Sequence, residues 1–334
     1  MTDRERYLDL VTAGAEQPAV DHVTGMLDAG HDAEEVLLDV IAPAQARVGE
    51  LWSSNEWNVA REHAATYISE RAVEAVAART VSSGGRGHVV VACVDGEWHS
   101  LPARILAETL RCRDWSVTFL GSSVPTAHLV TYLHQKGPDA AAISCSLPTR
   151  LPAARAAIAA VRAVDVPVVA GGRGFGPDAR WAARLGADAW AASARELFAI
   201  LDRWPPATRA DPVAPLLLDA EETLVQQARP QLIDAAWAAL RARFPRVADY
   251  SAAQVDTTNE DLGHIVDVLA AALLVDDESL FTTFVDWMAG VLGSRHVPPY
   301  PVAVALSAIA AELAEFPRAR AYLRTARELL AVRT

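Results

Sequence analysis

Apolar residues recur three and four positions apart along the first 80 residues, which is the spacing of helices that bury one face. Two clear examples lie at 36–41 and 68–76. Pro18, Gly30 and the polar run 53–55 interrupt the pattern and divide it into four segments. We therefore predict a four-helix bundle over residues 1–81.

Residues 88–204 show a different pattern, in which short apolar runs rich in β-branched residues alternate with helical segments. The predicted strands are 89–94, 116–120, 140–143, 166–170 and 187–191, and the predicted helices are 101–112, 126–135, 151–164, 179–185 and 196–203. Five strand–helix units predict a parallel sheet with helices on both faces. We expect a Rossmann-like domain with a flavodoxin-like five-stranded sheet.

The remaining region, 216–334, has helical periodicity without strand alternation. Segments 262–274 and 280–292 are apolar on more than one side, which is typical of helices at the centre of a domain. Two linkers separate the three regions: 82–87, whose Gly and Ser content predicts flexibility, and the Pro-rich 204–215, which is expected to be extended. The predicted fold class is multidomain α and α/β, ending in an all-α domain.

Composition excludes several classes of protein. Hydrophobic residues make up 51% of the 334 positions, enough for a large globular core. A formal net charge of −12 without a basic block argues against nucleic acid as a direct partner. The charged N-terminus does not suit a signal peptide and no apolar run suits a membrane span, so we expect a cytoplasmic protein. Three scattered cysteines predict neither a disulfide framework nor a zinc site.

Candidate chemistry lies directly after the first predicted strand. Glu97 and His99 occupy a loop at the carboxyl end of that strand, where open α/β sheets bind ligands. Glu97 is placed to orient the His99 imidazole as a metal-ligating group. The alternative is a helix N-terminus with a solvated histidine.

Three short motifs follow the first, third and fourth strands in this order: Glu97-Trp98-His99, Ser144-Cys145-Ser146 and Gly171-Gly172. This arrangement resembles the cobalamin-binding domain of methionine synthase, mutases and light-sensing repressors. The resemblance implies that His99 is the lower axial ligand of cobalt. It also implies a deep slot for the displaced nucleotide tail. The other implied cofactor-binding residues of this domain are Glu97, Trp98, Ser144, Ser146, Gly171 and Gly172.

The motifs depart from the family pattern at three positions. Glu97 stands where the pattern has Asp, Pro102 where it has Gly, and Ser146 where it has Leu. A longer carboxylate is still able to orient His99. The other two changes affect the path of the loop and one packing contact rather than the predicted role of His99.

The bundle carries a second resemblance. Trp52 is followed by nine residues and then by Glu62-His63, a spacing that resembles the four-helix cap of cobalamin-dependent photoreceptors of the CarH type. The resemblance implies that Trp52 packs on the 5′-deoxyadenosyl group or corrin face and that Glu62 hydrogen-bonds this group. It further implies that His63 reaches cobalt after the group leaves. The alternative is that Trp52 is bundle core and that Glu62-His63 is a solvated helix start.

The C-terminal region carries polar and aromatic residues within apolar helices, among them Tyr250, His264, His296 and Tyr300. The order of the three domains resembles that of photocobilins, and the last domain is similar to a globin-like or phycobiliprotein-like fold. This resemblance implies biliverdin as a second cofactor. No cysteine follows position 145, so a bilin in this domain would be held non-covalently. The alternative is a set of core aromatics and helix-end polar residues.

Three functional hypotheses follow. The first is a non-enzymatic photoreceptor in which photolysis of adenosylcobalamin drives a conformational signal. It would act through an unknown signalling partner. It would also form a homo-oligomer, for which a dimer is the first expectation. No DNA-binding domain is expected, because the bundle begins close to Met1. The second hypothesis is a corrinoid methyl-carrier protein that serves methyltransferases, and the third is a vestigial cobalamin fold that mediates association.

Overall fold

The computed structural model describes residues 1–204 and 220–332. The chain divides into two compact units, Met1–Asp211 and Pro212–Thr334. The first unit consists of a helical cap followed by a parallel sheet with its helices, and the second is helical. The predicted fold class is confirmed.

The cap consists of helices α1 to α5. Their bounds are α1 Asp3–Thr12, α2 Glu16–Asp28, α3 Ala33–Glu35, α4 Ala42–Ser53 and α5 Val59–Ala77, and the π-helical segment Val36–Ile41 joins α3 to α4 without a break. The cap therefore has four helical rods, as the apolar spacing predicted. The break at 53–55 contains Asn55 at φ 63°, and the Asn58 side chain accepts the N–H of Arg61 to start α5.

The sheet consists of five parallel strands in the order β2-β1-β3-β4-β5. The strands are β1 His88–Cys93, β2 Ser116–Phe119, β3 Ala140–Ser144, β4 Val168–Gly171 and β5 Ala189–Ala191. The helices between and after them are α6 Leu101–Cys112, α7 Thr126–Lys136, α8 Leu151–Ala163, α9 Arg180–Arg184 and α10 Ala194–Leu201. All five residues of β3 are buried, which explains its uniformly apolar and small sequence. Because the chain order reverses beside β1, the carboxyl ends of β1 and β3 border the crevice of the sheet.

The cap and the sheet share apolar and ionic contacts within the first unit. Leu101 and Ile105 of α6 belong to the buried core of the cap. Arg113, at the end of α6, donates two hydrogen bonds to Glu34, at 2.6 and 2.9 Å. Arg195 of α10 donates to Asp39 at 2.8 Å. These contacts hold α3 and the π-helical segment against the sheet domain.

The segment between cap and sheet corrects one prediction. Its Gly and Ser content predicted a flexible linker, but in the structure it is anchored by hydrogen bonds. The backbone N–H and hydroxyl of Ser83 both donate to the Asp114 carboxylate at 3.0 Å, and the N–H of Arg86 donates to the Asp114 carbonyl. Composition alone missed this because the anchoring residue lies 31 positions away along the chain.

The second unit contains six helices among its described residues. They are α11 Glu221–Gln227, α12 Arg229–Arg243, α13 Ala252–Val275, α14 Glu278–Ser294, α15 Tyr300–Glu312 and α16 Pro317–Val332. Helix α13 is the central helix, and every residue from Val268 to Val275 is buried. This accounts for the apolar pattern on more than one side. The predicted extended linker and the predicted start of this domain at 216 lie outside the described residues, apart from Trp204.

No described helix is both long and apolar enough to cross a membrane.

Candidate functional site

A cavity of about 860 Å³ lies in the first unit between the cap and the carboxyl edge of the sheet. This is in the upper range of cavities that bind organic cofactors. Its walls bring together predicted site residues from both domains: Trp52, Glu62 and His63 from the cap, and Trp98, His99, Ser144, Ser146, Gly171 and Gly172 from the sheet. Residues more than 100 positions apart in sequence therefore share one site.

Glu97 lies behind this cavity rather than in its wall. The residue is fully buried, and its Oε1 atom lies 2.6 Å from Nδ1 of His99. Oε1 also accepts the backbone N–H of His99 at 2.9 Å, while Oε2 accepts those of Ser146 at 2.7 Å and Leu147 at 3.1 Å. The structure therefore gives Glu97 a positioning role and no direct place against a ligand.

The electrostatics of this pair follow from the same contacts. Burial by itself would raise the pKa of Glu97, but the hydrogen bonds from the His99 ring and from backbone N–H groups outweigh it and lower that pKa. The hydrogen bond to Glu97 raises the pKa of His99, and burial opposes this. Because Nδ1 is held by the carboxylate, Nε2 is the ring nitrogen left for a metal.

His99 itself is accessible from the cavity. Its side chain is 58% exposed, and Nε2 has no hydrogen-bond partner among the residues that the structure describes. Those residues also contain no group of three or more His, Cys, Asp or Glu side chains able to hold a metal ion. One imidazole does not enclose a bare metal, but it suits a metal that already sits in a macrocycle and lacks an axial ligand.

Two adjacent glycines, the last residue of β4 and the first residue after it, are present for different reasons. Gly172 has φ +101°, and a Cβ atom on it would lie 2.3 Å from the carbonyl oxygen of Cys145. A Cβ on Gly171 would lie 3.3 Å from the carbonyl oxygen of Ala191, which is tight but not prohibitive. The sequence interpretation assigned both glycines to ligand space. Both glycines line the cavity, and for Gly172 the close approach of two loops is a second reason why no side chain fits.

Ser144 and Ser146 lie on either side of Cys145, where the loops after β3 and β4 come close together. Ser144 ends β3 and is 8% exposed. Burial raises the pKa of the Cys93 thiol, and a hydrogen bond between this thiol and the Ser144 side chain opposes that shift. Ser146 is half-buried, donates its backbone N–H to Glu97 and lines the cavity. Trp98 is 71% exposed at the rim.

The cap wall is organised around Glu62. Its Oε2 atom lies 2.5 Å from Nδ1 of His63, and its Oε1 atom accepts the Thr66 hydroxyl at 2.7 Å. Thr66 in turn accepts from Nε2 of Gln45 at 2.6 Å. Trp52 is half-buried in the cavity wall, whereas Trp57 is the tryptophan in the buried core of the cap.

Sequence reasoning missed Gln45 and Thr66, which both line the cavity. A signal for each was present. Thr66 follows Glu62 by four positions on α5, and Gln45 precedes Trp52 by seven on α4, so each pair shares a helix face.

Of the residues predicted for a ligand of the C-terminal domain, Tyr300 lines the cavity described there. That cavity, of about 500 Å³, is lined by Arg243, Pro299, Tyr300, Ala303, Val304, Ser307, Arg324, Arg327, Glu328, Leu330 and Ala331. His264 and His296 are exposed and Tyr250 is half-buried, and none of the three lines this cavity. The apolar pattern of α13 concealed that His264 lies on the outer face of the helix.

Comparison with known proteins gives the site a class. Residues 87–202 match a family model described as a B12 binding domain, and residues 3–77 match a second model with the same description. The HTH-type transcriptional repressor CarA of Myxococcus xanthus is 32% identical over 146 residues, which are 43% of this chain and 50% of CarA. The chain therefore spans about half the length of that relative.

The monomethylamine corrinoid protein of Methanosarcina barkeri has a similar structure, with a TM-score of 0.53 at 17% identity. The match covers 59% of this chain and 96% of that one. At this level of identity it shows a shared fold.

The two matched segments are the two sides of the cavity: 3–77 contains Trp52, Glu62 and His63, and 87–202 contains His99. An accessible, carboxylate-held imidazole opposite a helical cap fits the axial coordination that a cobalt corrinoid needs. Residues 3–77 and 87–202 are the B12-binding domains of a cobalamin-binding protein.

Proposed function

We propose that the first unit binds adenosylcobalamin between cap and sheet and acts as a light-sensing photoreceptor rather than as an enzyme. One observation carries the proposal: His99 and the set Trp52, Glu62 and His63 line the same cavity from opposite sides. An axial ligand below and a large aromatic side chain above are what a cofactor with a bulky upper group requires.

The sheet side would hold the lower face. His99 would offer Nε2 to cobalt, while Glu97 keeps the ring oriented through Nδ1. The loops after β3 and β4 would accept the nucleotide tail, with Ser144 and Ser146 as hydrogen-bonding groups and Gly171 leaving room beside them. Trp98 would cover the edge of the ring from the rim.

The cap side would hold the upper group. When bound, adenosylcobalamin supplies a cobalt–carbon bond that light can break. Trp52 would pack on the adenosyl group and Glu62 would accept its hydrogen bonds, so both residues would make different contacts before and after illumination. The difference in binding free energy between these two sets of contacts is what is available to move the cap. His63, whose side chain is 74% exposed, would be the nearby imidazole able to serve as a new axial ligand.

The test is an absorption spectrum. The full chain is purified, incubated with adenosylcobalamin in the dark, freed of excess cofactor and exposed briefly to green light. We expect a bound cofactor whose spectrum changes on exposure. His99→Ala should lose the imidazole-ligated spectrum. A chain that binds no cobalamin, or that binds it and is unchanged by light, contradicts the proposal.

The alternative, a corrinoid methyl carrier, predicts a different preference. Such a protein would bind methylcobalamin at least as tightly as adenosylcobalamin, and it would need a reductive partner to cycle. The same titration with both cofactors separates the two functions.

For the second unit we propose non-covalent binding of biliverdin in the cavity described above. Its support is chemical: apolar Val304 and Leu330 lie beside Arg243, Arg324 and Arg327, which suit a conjugated ligand with carboxylates. Biliverdin added to the full chain should give a far-red band that Arg327→Gln weakens. An unshifted biliverdin spectrum contradicts this.

We further propose that the signal passes to a partner protein through a homodimer. Size-exclusion chromatography of the cobalamin-loaded chain, in the dark and after light, checks both the dimer and its dependence on light. A monomer under both conditions contradicts the proposal.

A further inference from the structure

The cap wall of the cavity contains a directed chain of hydrogen bonds. Nε2 of Gln45 lies 2.6 Å from the Thr66 hydroxyl oxygen, and this hydroxyl lies 2.7 Å from Oε1 of Glu62. All three residues line the cavity. The chain joins α4 to α5, because Gln45 belongs to the first of these helices and the other two residues to the second.

The direction of each bond is fixed by chemistry. A carboxylate only accepts, so the single O–H of Thr66 must donate to Glu62. The Thr66 oxygen is then left to accept, and Gln45 must present its NH₂ group to it. This assigns the amide of Gln45 without ambiguity, although the nitrogen and oxygen of an amide have similar shapes.

One acceptor remains unused in this arrangement. Oε1 of Gln45 is buried and receives no hydrogen bond from any residue that the structure describes. A buried acceptor without a donor is unfavourable, and native proteins usually satisfy such atoms. Since this oxygen is closed off from solvent, it does not itself face the cavity, and the contact that Gln45 makes at the wall is the one through its NH₂ group to Thr66.

We propose that Gln45 and Thr66 are positioning residues which make this wall select an upper axial group that donates hydrogen bonds, such as a nucleoside, over a methyl group. The wall offers the carboxylate of Glu62 as an acceptor, and Thr66, itself held by Gln45, fixes the orientation of that carboxylate. A methyl group has nothing to donate to it. This inference rests on the proposed function, since it requires cobalamin between cap and sheet.

The experiment compares two cofactors on the full chain in the dark. Adenosylcobalamin and methylcobalamin are titrated, with absorbance as the readout, into the unchanged protein and into Thr66→Val, Thr66→Ser and Gln45→Leu. We expect Thr66→Val and Gln45→Leu to bind adenosylcobalamin about tenfold more weakly. Binding of methylcobalamin should change less than about twofold, and Thr66→Ser should restore most of the adenosylcobalamin affinity because it keeps the hydroxyl.

The outcomes are separable. An equal loss for both cofactors would mean that the donors are amides of the corrin rim, and it would overturn selection of the upper group. No loss in either variant would also overturn it. If the unchanged chain binds neither cofactor, the proposed function fails and this inference with it. Circular dichroism of each variant without cofactor checks that the cap is folded, since a partly unfolded cap would weaken the binding of both cofactors.

Discussion

The Glu97 carboxylate joins two loops while it holds His99. Oε1 lies 2.6 Å from Nδ1 of His99, and Oε2 accepts the N–H of Ser146 at 2.7 Å. The loop after β1 and the loop after β3 therefore share one buried anion. The orientation of the candidate cobalt ligand and the shape of the candidate nucleotide slot depend on the same side chain.

Replacing Glu97 with Gln should weaken cobalamin binding by about 10- to 100-fold, the range typical of lost partners of metal-ligating histidines. An amide cannot accept with both of its polar atoms, so the N–H of His99 or of Ser146 would face another donor. We expect a loss of stability of about 1–3 kcal/mol. Equilibrium titration with cobalamin and thermal unfolding of the cofactor-free chain measure the two effects.

Asp95→Asn is the matched control for this change. Asp95 lies in the same loop, and its replacement by Asn removes the same charge. Its side chain is exposed and accepts a hydrogen bond from the Ser123 hydroxyl at 3.3 Å. It should bind cobalamin like the unchanged chain. If both substitutions weaken binding equally, loop charge rather than orientation of His99 is responsible.

Gly172→Ala should destabilise the first unit by about 3 kcal/mol. The methyl group would meet the Cys145 carbonyl oxygen at 2.3 Å, and φ +101° is strained for alanine. Gly171→Ala is the comparison, because its nearest contact is 3.3 Å and the chain there is ordinary strand. We expect a smaller loss of stability in thermal unfolding of the cofactor-free protein. Equal losses would remove the distinction between the two glycines.

Trp52→Ala should leave cobalamin bound through His99 but reduce the preference for adenosylcobalamin over methylcobalamin. The indole lines the cap wall, and its loss would remove contact area with the large upper group alone. Trp98→Ala, on the sheet side, should weaken the binding of both cofactors to the same extent. If Trp52→Ala matches the unchanged chain in binding and photolysis, the proposal that the cap contacts the upper group is wrong.

Tyr7→Phe should change how the stability of the cap depends on pH. Burial raises the pKa of Tyr7 to about 12, although its hydrogen bond to Ser69 opposes this. The unfolded chain ionises this tyrosine near its ordinary pKa of 10, so its contribution is fully present below pH 10 and is lost as pH rises from 10 to 12.

The measurement is the difference in melting temperature between Tyr7→Phe and the unchanged protein from pH 8 to 11.5. It should be constant up to pH 10 and then shift in favour of the variant. Tyr67→Phe, on an exposed position of α5, serves as control and should show a constant difference. A constant difference for Tyr7→Phe as well would contradict the burial argument.

The sequence by itself determined the order of elements. Helical spacing gave the four rods of the cap, β-branched apolar runs gave the five strands, and the fully apolar α13 gave the centre of the second unit. These patterns are local, because a helix or strand that buries one or both faces must show it within about ten residues. The motifs around His99 and Trp52 were readable for the same reason.

Only the tertiary structure decided which of these residues face one another. Gln45 and Thr66 look like ordinary polar helix residues until α4 and α5 pack and bring them within 2.6 Å. Position 172 has to be glycine because the Cys145 backbone leaves no room for a side chain. Glu97 lies behind His99, where its carboxylate accepts hydrogen bonds from three backbone N–H groups. Likewise, His264 lies in an apolar stretch of sequence but on the outer face of α13. Contacts between distant segments depend on packing geometry, which the periodicity of any one segment does not contain.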